Sequence, residues 1–209
     1  MQIVEPSFCF IGDVNPQAML RNMEEAGRVC YKSEDMIKEG SAGTFLQRIV
    51  RSGHESVIEH EKLTVKITCD RGVSHEIVRH RLASYSQEST RYCNYTKDKF
   101  GNELTLIRPS FWAEDSAAYE IWKAQMASAE QAYFALIDAG AKPEEARTVL
   151  PNSLKTEIVV TMDLREWRHF LKLRGSAAAH PQIREIVALM LPEFQKLLPE
   201  IFGDIQQPA

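Results

Sequence analysis

The clearest structural signal in this chain is the segment Lys62–Cys69, which reads KLTVKITC. Apolar side chains alternate with Lys and Thr along the whole segment, and a period of two places every apolar side chain on one face of a strand. The segment therefore predicts a β-strand with one buried face. Lys155–Met162 alternates in the same way and predicts a second strand of this kind.

Weaker strand signals lie at Gln2–Ile11 and Glu103–Arg108, and much of the remaining chain has helical periodicity. A long helix is predicted near residues 115–139, ended by Gly140, because apolar side chains recur there every three or four residues. This apolar stripe consists of Ala118, Trp122, Met126, Ala129, Tyr133 and Leu136.

Shorter helices are predicted in five other segments. They are a helix that contains Phe45, Leu46, Ile49 and Val50 and ends near Gly53, a helix over Val73–Arg81, a helix that begins at Pro143 before Glu144 and Glu145, and helices over Leu164–Leu173 and Gln182–Leu198. The strands and helices do not alternate in β-α-β-α order. We therefore predict an α+β fold, an antiparallel sheet flanked by helices, in a single domain over residues 1–209.

The composition of the 209 residues is that of a folded protein, with 44% hydrophobic and 26% charged residues. A formal net charge of −4 argues against a general nucleic-acid coat protein. Glu5 and Pro6 interrupt the apolar N-terminal residues, so no signal peptide is predicted. No apolar run approaches the roughly 18 residues of a membrane helix, so no membrane partner is predicted.

The cysteines are far apart in the sequence and form no C-x-x-C pair. They are Cys9, Cys30, Cys69 and Cys93. Such isolated thiols are typical of a reduced, cytoplasmic protein without disulfides.

A basic segment runs from Arg79 to Arg91 and reads RHRLASYSQESTR. Three guanidinium groups this close repel one another unless anions lie among them, and each has a planar fork suited to phosphate. Residues 71–97, which include Lys97, hold five Lys or Arg against two acids. In an acidic protein this local excess favours a small phosphorylated ligand over a polynucleotide. The alternative interpretation is a solvated basic turn.

The first three residues of the basic segment lie at the end of the predicted helix Val73–Arg81. Consecutive residues on a helix cannot share a face, so Arg79, His80 and Arg81 point in three directions. One tripeptide could thus contact two ligands or two subunits, which a simple anion site would not require.

Other site chemistries find little support in the sequence. The histidines at positions 54, 60, 75 and 80 match no common zinc spacing, so no metal site is predicted. Neither G-x-G-x-x-G nor G-x-x-x-x-G-K-[ST] occurs, so arginines and hydroxyls would have to hold any bound dinucleotide. Ser89 lacks a nucleophile-elbow context, and phosphate binding is the better interpretation of its hydroxyl.

The spacing of Arg79-His80-Arg81, seven residues and then Ser89 resembles the R-H-R-x7-S signature of flavin-dependent thymidylate synthases. Three other segments resemble the same family in the family's order. They are His54–His60 (HESVIEH), Glu145–Pro151 (EARTVLP) and Leu171–Arg174 (LKLR). Four ordered segments make the resemblance specific, and it covers most of residues 30–190.

The resemblance implies a homotetramer in which the active sites are shared between subunits. It implies reductive methylation of dUMP to dTMP, with 5,10-methylenetetrahydrofolate as the carbon donor. FAD, reduced by NADPH, would be the hydride source, so the cofactor carries the difficult chemistry.

The resemblance also implies a set of site residues. Those implied to contact the flavin are His54, Ser56, Arg79, His80, Arg81, Gln87, Asp163, Leu164, Arg165 and His169. Those implied to contact dUMP are Glu76, Ile77, Val78, Arg79, Gln87, Glu88, Ser89, Thr90, Arg91, Arg147 and Arg174. Ser89 and Arg91 would bind the phosphate, and Arg147 would reach the nucleotide from a neighbouring subunit.

Arg174 stands at the family's position for activating the pyrimidine. A fixed cation there would stabilise the anion left when N3 of the base loses its proton. The chain departs from the family at three positions. Gln87 stands where a glutamate is frequent, and Asp163 and His169 stand where asparagine is frequent.

Two other functions are compatible with the residues alone. A nucleotide- or RNA-binding module could use the same basic segment, with Tyr85, Tyr92 and Tyr95 stacking on bases. A cysteine-nucleophile thymidylate synthase is the second, although no Pro-Cys-His context surrounds any cysteine. Without the resemblance, an alternative interpretation is open for two residues: Arg147 as an ordinary surface charge, and Arg174 as a cation that complements a helix dipole.

Overall fold

The computed structural model describes residues 1–95 and 101–207, so Lys97 of the basic segment lies outside the described residues. The strands are β1 (Gln2–Val4), β2 (Ser7–Phe10), β3 (Lys62–Asp70), β4 (Ala83–Gln87), β5 (Thr105–Ile107) and β6 (Lys155–Asp163). The α-helices are α1 (Pro16–Tyr31), α2 (Ser41–Arg51), α3 (Arg71–Ile77), α4 (Ala117–Asp138), α5 (Pro143–Ala146), α6 (Leu164–Arg174), α7 (Pro181–Leu197) and α8 (Pro199–Phe202). Short 3₁₀ turns lie at Glu34–Met36, Glu55–His60 and Arg147–Val149.

Four strands form one sheet in the order β2-β3-β6-β4. Strands β3 and β6 run antiparallel, because Thr64 Oγ1 lies 2.9 Å from Thr161 Oγ1 and the N–H of Leu164, after β6, donates to the carbonyl of Glu61, before β3. The α+β prediction, with an antiparallel sheet and helices, is confirmed. Strands β1 and β5 pair in parallel, which the sequence does not predict.

Both alternating segments form the predicted strands with one buried face. The buried side chains are Leu63, Val65, Ile67 and Cys69 in β3 and Ile158, Val160 and Met162 in β6. The weaker segment Glu103–Arg108 contains β5. The prediction of one strand over Gln2–Ile11 is wrong in its middle, because Pro6 has no N–H to donate and separates β1 from β2.

Most predicted helices form within a few residues of their expected bounds, and the long helix near 115–139 is α4. Helix α1 has no predicted counterpart, although Asn15 caps its first turn and Met19, Met23 and Gly27 recur at intervals of four on its buried side. A Cβ added at Gly27 would lie 2.7 Å from the ring of Phe45. Glycine at this position therefore lets α1 approach α2 closely.

The first of two compact units comprises Met1–Ser7, Ile67–Arg79 and Ser86–Ile158. Its core lies between α4, β5 and the residues before β6, and the buried members are Tyr95, Leu104, Leu106, Tyr119, Trp122, Met126, Tyr133, Ala146 and Leu154. The predicted α4 stripe supplies Trp122, Met126 and Tyr133 to this core, so its periodicity is confirmed.

The second unit comprises Phe8–Lys66, His80–Tyr85 and Val159–Ala209. Aromatic rings from α6, α7 and α8 form part of its core: Trp167, Phe170, Phe194 and Phe202 lie with neighbouring ring centroids 5.2–5.5 Å apart. This packing fixes one face of α6, the helix that ends at Arg174. The prediction that residues 1–209 form one domain stays a prediction.

Within residues 1–95 and 101–207, no helix is both long enough and apolar enough to cross a membrane.

Candidate active site

The motif Arg79-His80-Arg81 lies in the turn between α3 and β4. The prediction that it sits on a helix is wrong by a few residues: α3 ends at Ile77, and the N–H of Arg79 bonds the carbonyl of Glu76, three residues back, which breaks the α-helical pattern. The His80 side chain is buried, and Arg79 and Arg81 are exposed. The turn therefore presents two cations to solvent and one imidazole to the interior.

The buried imidazole of His80 packs against one stripe of α6. Its Nδ1 lies 2.7 Å from Glu166 Oε1, and its Nε2 lies 3.2 Å from Nε of Arg174. The ring of Phe170 meets it edge-on, with centroids 5.0 Å apart. Positions 166, 170 and 174 are four residues apart and so share one face of the helix. The spacing of α6 thus brings a carboxylate, a ring and a guanidinium to one histidine.

The two partners of His80 determine its protonation state. An arginine Nε–H only donates, so Nε2 of His80 accepts, and Nδ1 then carries the proton and donates to Glu166. Burial lowers the pKa of His80, and the charges of Arg174 and His169 lower it further, although the bond to Glu166 opposes them. His80 is therefore neutral at neutral pH, with one defined tautomer.

The carbonyl of His80 is also held, because the hydroxyl of Tyr85 on β4 donates to it. Burial raises the pKa of Tyr85 to about 12, and the charge of Glu166 adds to this rise. Tyr85 therefore stays protonated and remains a donor at any physiological pH.

His80, Glu166 and His169 offer ligand atoms within 4.8 Å of one another, a separation that could hold a metal ion. The guanidinium of Arg174 contacts the same imidazole, and a fixed cation there repels a second one. The hydrogen-bonded arrangement fits these residues better than a metal centre, and the prediction of no metal site stays a prediction.

Three residues expected to contact the flavin, Asp163, Arg165 and His169, line one pocket of about 500 Å³ in the second unit. The other lining residues are Glu55, Glu59, Leu82, Glu166, Arg168 and Lys172. Asp163 Oδ1 accepts from the N–H of Glu166 at 2.8 Å and caps α6. Arg165 is exposed and pairs with Glu59.

The remaining expected flavin residues of the second unit are not in that pocket. His54 lines a different pocket of about 400 Å³, where its Nδ1 lies 2.8 Å from the hydroxyl of Tyr31. Ser56 is exposed on the 3₁₀ turn Glu55–His60. The Leu164 side chain is fully buried, so it contributes to the core and has no surface to offer a ligand.

In the first unit, the structure brings part of the expected dUMP set together. Arg147 Nη1 lies 3.5 Å from Thr90 Oγ1, and the hydroxyl oxygen of Ser89 accepts from the N–H of Arg91 at 3.2 Å. Arg91 Nε donates to Glu144 of α5 at 2.9 Å. Segments 57 residues apart are thus adjacent, and one expected phosphate ligand is paired with a carboxylate.

The amide nitrogen of Gln87, an expected ligand contact, points inward. Its Nε2 donates to Ser74 Oγ at 2.9 Å and to Thr156 Oγ1 at 3.2 Å, and both of these residues are fully buried. Period-two alternation places Gln87 and Tyr85 on the more covered face of β4. The side-chain amide of Gln87 therefore ties β4 to α3 and β6.

The other expected dUMP residues of this unit are in varied environments. Glu88 Oε2 pairs with Lys155 Nζ at 3.2 Å. Ile77 is fully buried and belongs to the core, whereas Val78 is exposed and Glu76 is half-buried. For Ile77, a side-chain contact with a nucleotide is excluded by its burial.

Glu166 and Phe170 belong to the arrangement around His80 but are absent from the expected set. A signal for both exists in the sequence, because they precede Arg174 by eight and four residues on a predicted helix. Tyr85 is a third residue outside the expected set. The folded turn brings its hydroxyl to the carbonyl of His80, and the sequence alone does not indicate this contact.

Comparison with known proteins finds a family model and several relatives that match this chain. The model of the family described as thymidylate synthase complementing protein matches residues 15–200. A protein of Pyrococcus furiosus named flavin-dependent thymidylate synthase is 41% identical over 171 residues, which cover 81% of this chain and 69% of the relative. One of the same name from Geobacter sulfurreducens is 37% identical over 186 residues, covering 86% and 78%.

Among solved structures, the chain is similar to the crystal structure of the UMP/dUMP methylase PolB from Streptomyces cacaoi bound with 5-Br dUMP. The TM-score is 0.77, with 23% sequence identity and coverage of 97% of this chain and 96% of the other. At 23% identity this similarity shows a shared fold and nothing more.

Proposed function

Because the chain belongs to the thymidylate synthase complementing protein family, we propose that it is a flavin-dependent thymidylate synthase. It converts dUMP to dTMP with 5,10-methylenetetrahydrofolate as the carbon donor. Bound FAD, reduced by NADPH, supplies the hydride that completes the methyl group.

One observation carries the proposal: Arg174 lies at the end of α6 with its Nε held 3.2 Å from His80 of the R-H-R motif. Activation of a pyrimidine at C5 requires a preorganised positive charge beside the anion that N3 deprotonation leaves. Arg174 supplies that charge, and its attachment to a buried residue limits the reorganisation needed when the base loses its proton.

The residues present fit a flavin dinucleotide. Arg79 and Arg81 are exposed cations, and Arg165 and His169 line the 500 Å³ pocket with further donors. Guanidinium forks bind diphosphate bidentately and replace the glycine-rich turn that the sequence lacks. His54 and Ser56 are further expected contacts of the cofactor.

The nucleotide phosphate is bound by Ser89 and Arg91. Arg91 exchanges Glu144 for the phosphate, because a dianion competes better for the guanidinium than an exposed carboxylate does. Arg147 lies near Thr90, and we propose that it reaches the nucleotide of a neighbouring subunit. This sharing requires a second subunit, and we propose that the assembly is a homotetramer.

We place the reaction in the cytoplasm, in agreement with Cys9, Cys30, Cys69 and Cys93, none of which forms a disulfide. Nucleic acid and membranes are not partners of this enzyme. The acidic net charge of −4 supports the first of these statements.

An absorbance spectrum and a coupled assay test the function. The purified protein should be yellow with bound FAD, and NADPH oxidation should yield dTMP when dUMP and 5,10-methylenetetrahydrofolate are both present. Omission of dUMP or of the folate should abolish dTMP formation. Colourless protein that ignores added FAD, and instead binds polynucleotides with steep salt dependence, would overturn the proposal.

A further inference from the structure

We infer that Glu166 is a positioning residue for Arg174: it fixes the tautomer of His80, and His80 in turn orients the guanidinium. The inference rests on the proposed function of Arg174 and goes beyond it, because Glu166 belongs to neither the expected flavin set nor the expected nucleotide set.

The hydrogen-bond donors and acceptors around His80 admit one neutral tautomer. A carboxylate only accepts and an arginine Nε–H only donates, so one neutral tautomer of His80 satisfies both neighbours. The other tautomer would set Nε2–H against the Nε–H of Arg174 and leave Nδ1 against the carboxylate. A protonated imidazole would set its own Nε2–H against the Nε–H of Arg174, so that two donors and two positive charges would face each other. Glu166 therefore selects the state of His80 that accepts from Arg174.

Burial increases the free-energy cost of the wrong tautomer. The side chain of His80 is 3% exposed and that of Glu166 11%, so water does not readily replace a lost hydrogen bond. Phe170 fixes the plane of the imidazole from the same face of α6. The groups that face His80 are Glu166, His169 and Arg174 from α6 and Tyr85 from β4.

A direct test measures the tautomer. Two-bond ¹H–¹⁵N correlation spectra of the ligand-free protein should show His80 with protonated Nδ1 and unprotonated Nε2 at pH 7.5, with the signal assigned by its loss in His80→Gln. Protonated Nε2 would overturn the inference. One equivalent of zinc bound by the purified protein, lost in His169→Ala, would overturn it in favour of a metal site.

Kinetics test the positioning role. Glu166→Leu should lower kcat about 10–100-fold, as loss of an orienting outer partner does, and Glu166→Gln, whose carbonyl still accepts from Nδ1, should recover most of it. The acid limb of the kcat profile should move to lower pH in Glu166→Gln, because removal of the negative charge disfavours protonated His80. A merely structural role would leave that limb unmoved.

Glu193→Gln, an exposed carboxylate on α7, is the matched control and should behave as wild type. Equal kcat and an equal acid limb in wild type and both Glu166 variants would overturn the inference while thymidylate formation continued. Absence of thymidylate formation by the wild-type protein would overturn the proposed function instead.

Discussion

The Nε–H of Arg174 donates to Nε2 of His80 across 3.2 Å, which joins two residues 94 positions apart in the sequence. His80 is the centre of the R-H-R motif, and Arg174 ends α6. The R-H-R segment and the Leu171–Arg174 segment, which both resemble the same family, are thus joined by a hydrogen bond. The motif contributes an acceptor in the interior as well as cations at the surface.

We expect Arg174→Lys to lower kcat about 10²–10³-fold, the usual cost of removing one preorganised donor. A lysine keeps the charge but has no planar fork, so its single nitrogen cannot occupy both the position of the Nε–H that bonds His80 and the positions of the Nη groups that would face the pyrimidine. FAD absorbance should persist. Steady-state dTMP formation measures the loss, with Lys196→Gln, an exposed cation on α7, as the control. Wild-type kcat in Arg174→Lys would contradict the role.

The buried histidine should make stability depend on pH. Burial lowers the pKa of folded His80 below its unfolded value of about 6.5. The unfolded state therefore binds more protons, and the stability contributed by neutral His80 is present above about pH 6.5 and is lost as the pH falls through the folded pKa.

Urea unfolding between pH 7.5 and 5 tests this sign. A glutamine at position 80 can donate to Glu166 and accept from Arg174 without titrating, so the free energy of unfolding of His80→Gln should fall less steeply than that of wild type. His75→Gln, at an exposed position of α3, should keep the wild-type slope. Parallel slopes for wild type and His80→Gln would show that His80 does not titrate in this range.

Gln87→Glu should destabilise the fold by about 1–3 kcal/mol at neutral pH, the cost of a buried polar group in the wrong pairing. Ser74 Oγ donates to the carbonyl of Arg71, so it meets Gln87 as an acceptor, and a carboxylate there has no proton to offer. The loss should shrink as the pH falls and the new carboxyl protonates. Denaturant titration measures it, with exposed Gln125→Glu as the control.

Much of the fold follows from the sequence because its patterns are local. Alternation in Lys62–Cys69 and the stripe on α4 each repeat often enough to define a buried face. Helix α1 is the exception, since its apolar residues are few and its buried side includes Gly27 and the ion pair of Glu24 with Arg28. Charges on the inner side of a helix obscure the period that reveals it.

The site is less predictable because its contacts are not local. The sequence indicates Arg174 and His80 as candidate site residues. Their hydrogen bond, however, requires the turn before β4 to lie against the end of α6. Gln87 shows the same difficulty, because its inward direction depends on Ser74 and Thr156 from two other elements. A motif states which residues are present; packing determines whether each one faces a ligand or the core.

The thiols should be dispensable. Cys9 and Cys30 are exposed without a base in their sequence context, and burial raises the pKa of the Cys69 thiol far above its usual range. A variant with Cys9→Ser, Cys30→Ser, Cys69→Ala and Cys93→Ser should therefore still form dTMP, measured per bound FAD. Loss of dTMP formation in a folded, yellow variant would instead indicate a cysteine nucleophile.

Arg168 should be the most sensitive charged residue for stability in the second unit. Its side chain is 2% exposed, forms two hydrogen bonds with Asp204 at 2.6 and 2.8 Å, and donates to Glu55 at 3.1 Å and to the carbonyl of Ile201. Arg168→Met should cost about 3 kcal/mol, because it leaves the buried carbonyl of Ile201 and the partly exposed carboxylates of Glu55 and Asp204 without their partner. Asp204 is half exposed, so Asp204→Asn should cost less.

A double-mutant cycle separates the pair from the packing. We expect Arg168→Met and Asp204→Asn to couple by about 0.5–3 kcal/mol in urea unfolding, since the two residues share hydrogen bonds. The guanidinium also lowers the pKa of Asp204, so the coupling should be present at neutral pH and should be lost as the pH falls through the folded pKa of that carboxyl. Arg51→Ala, an exposed arginine at the end of α2, should show no comparable loss. Additive costs at neutral pH would mean that Arg168 stabilises the unit through its other contacts.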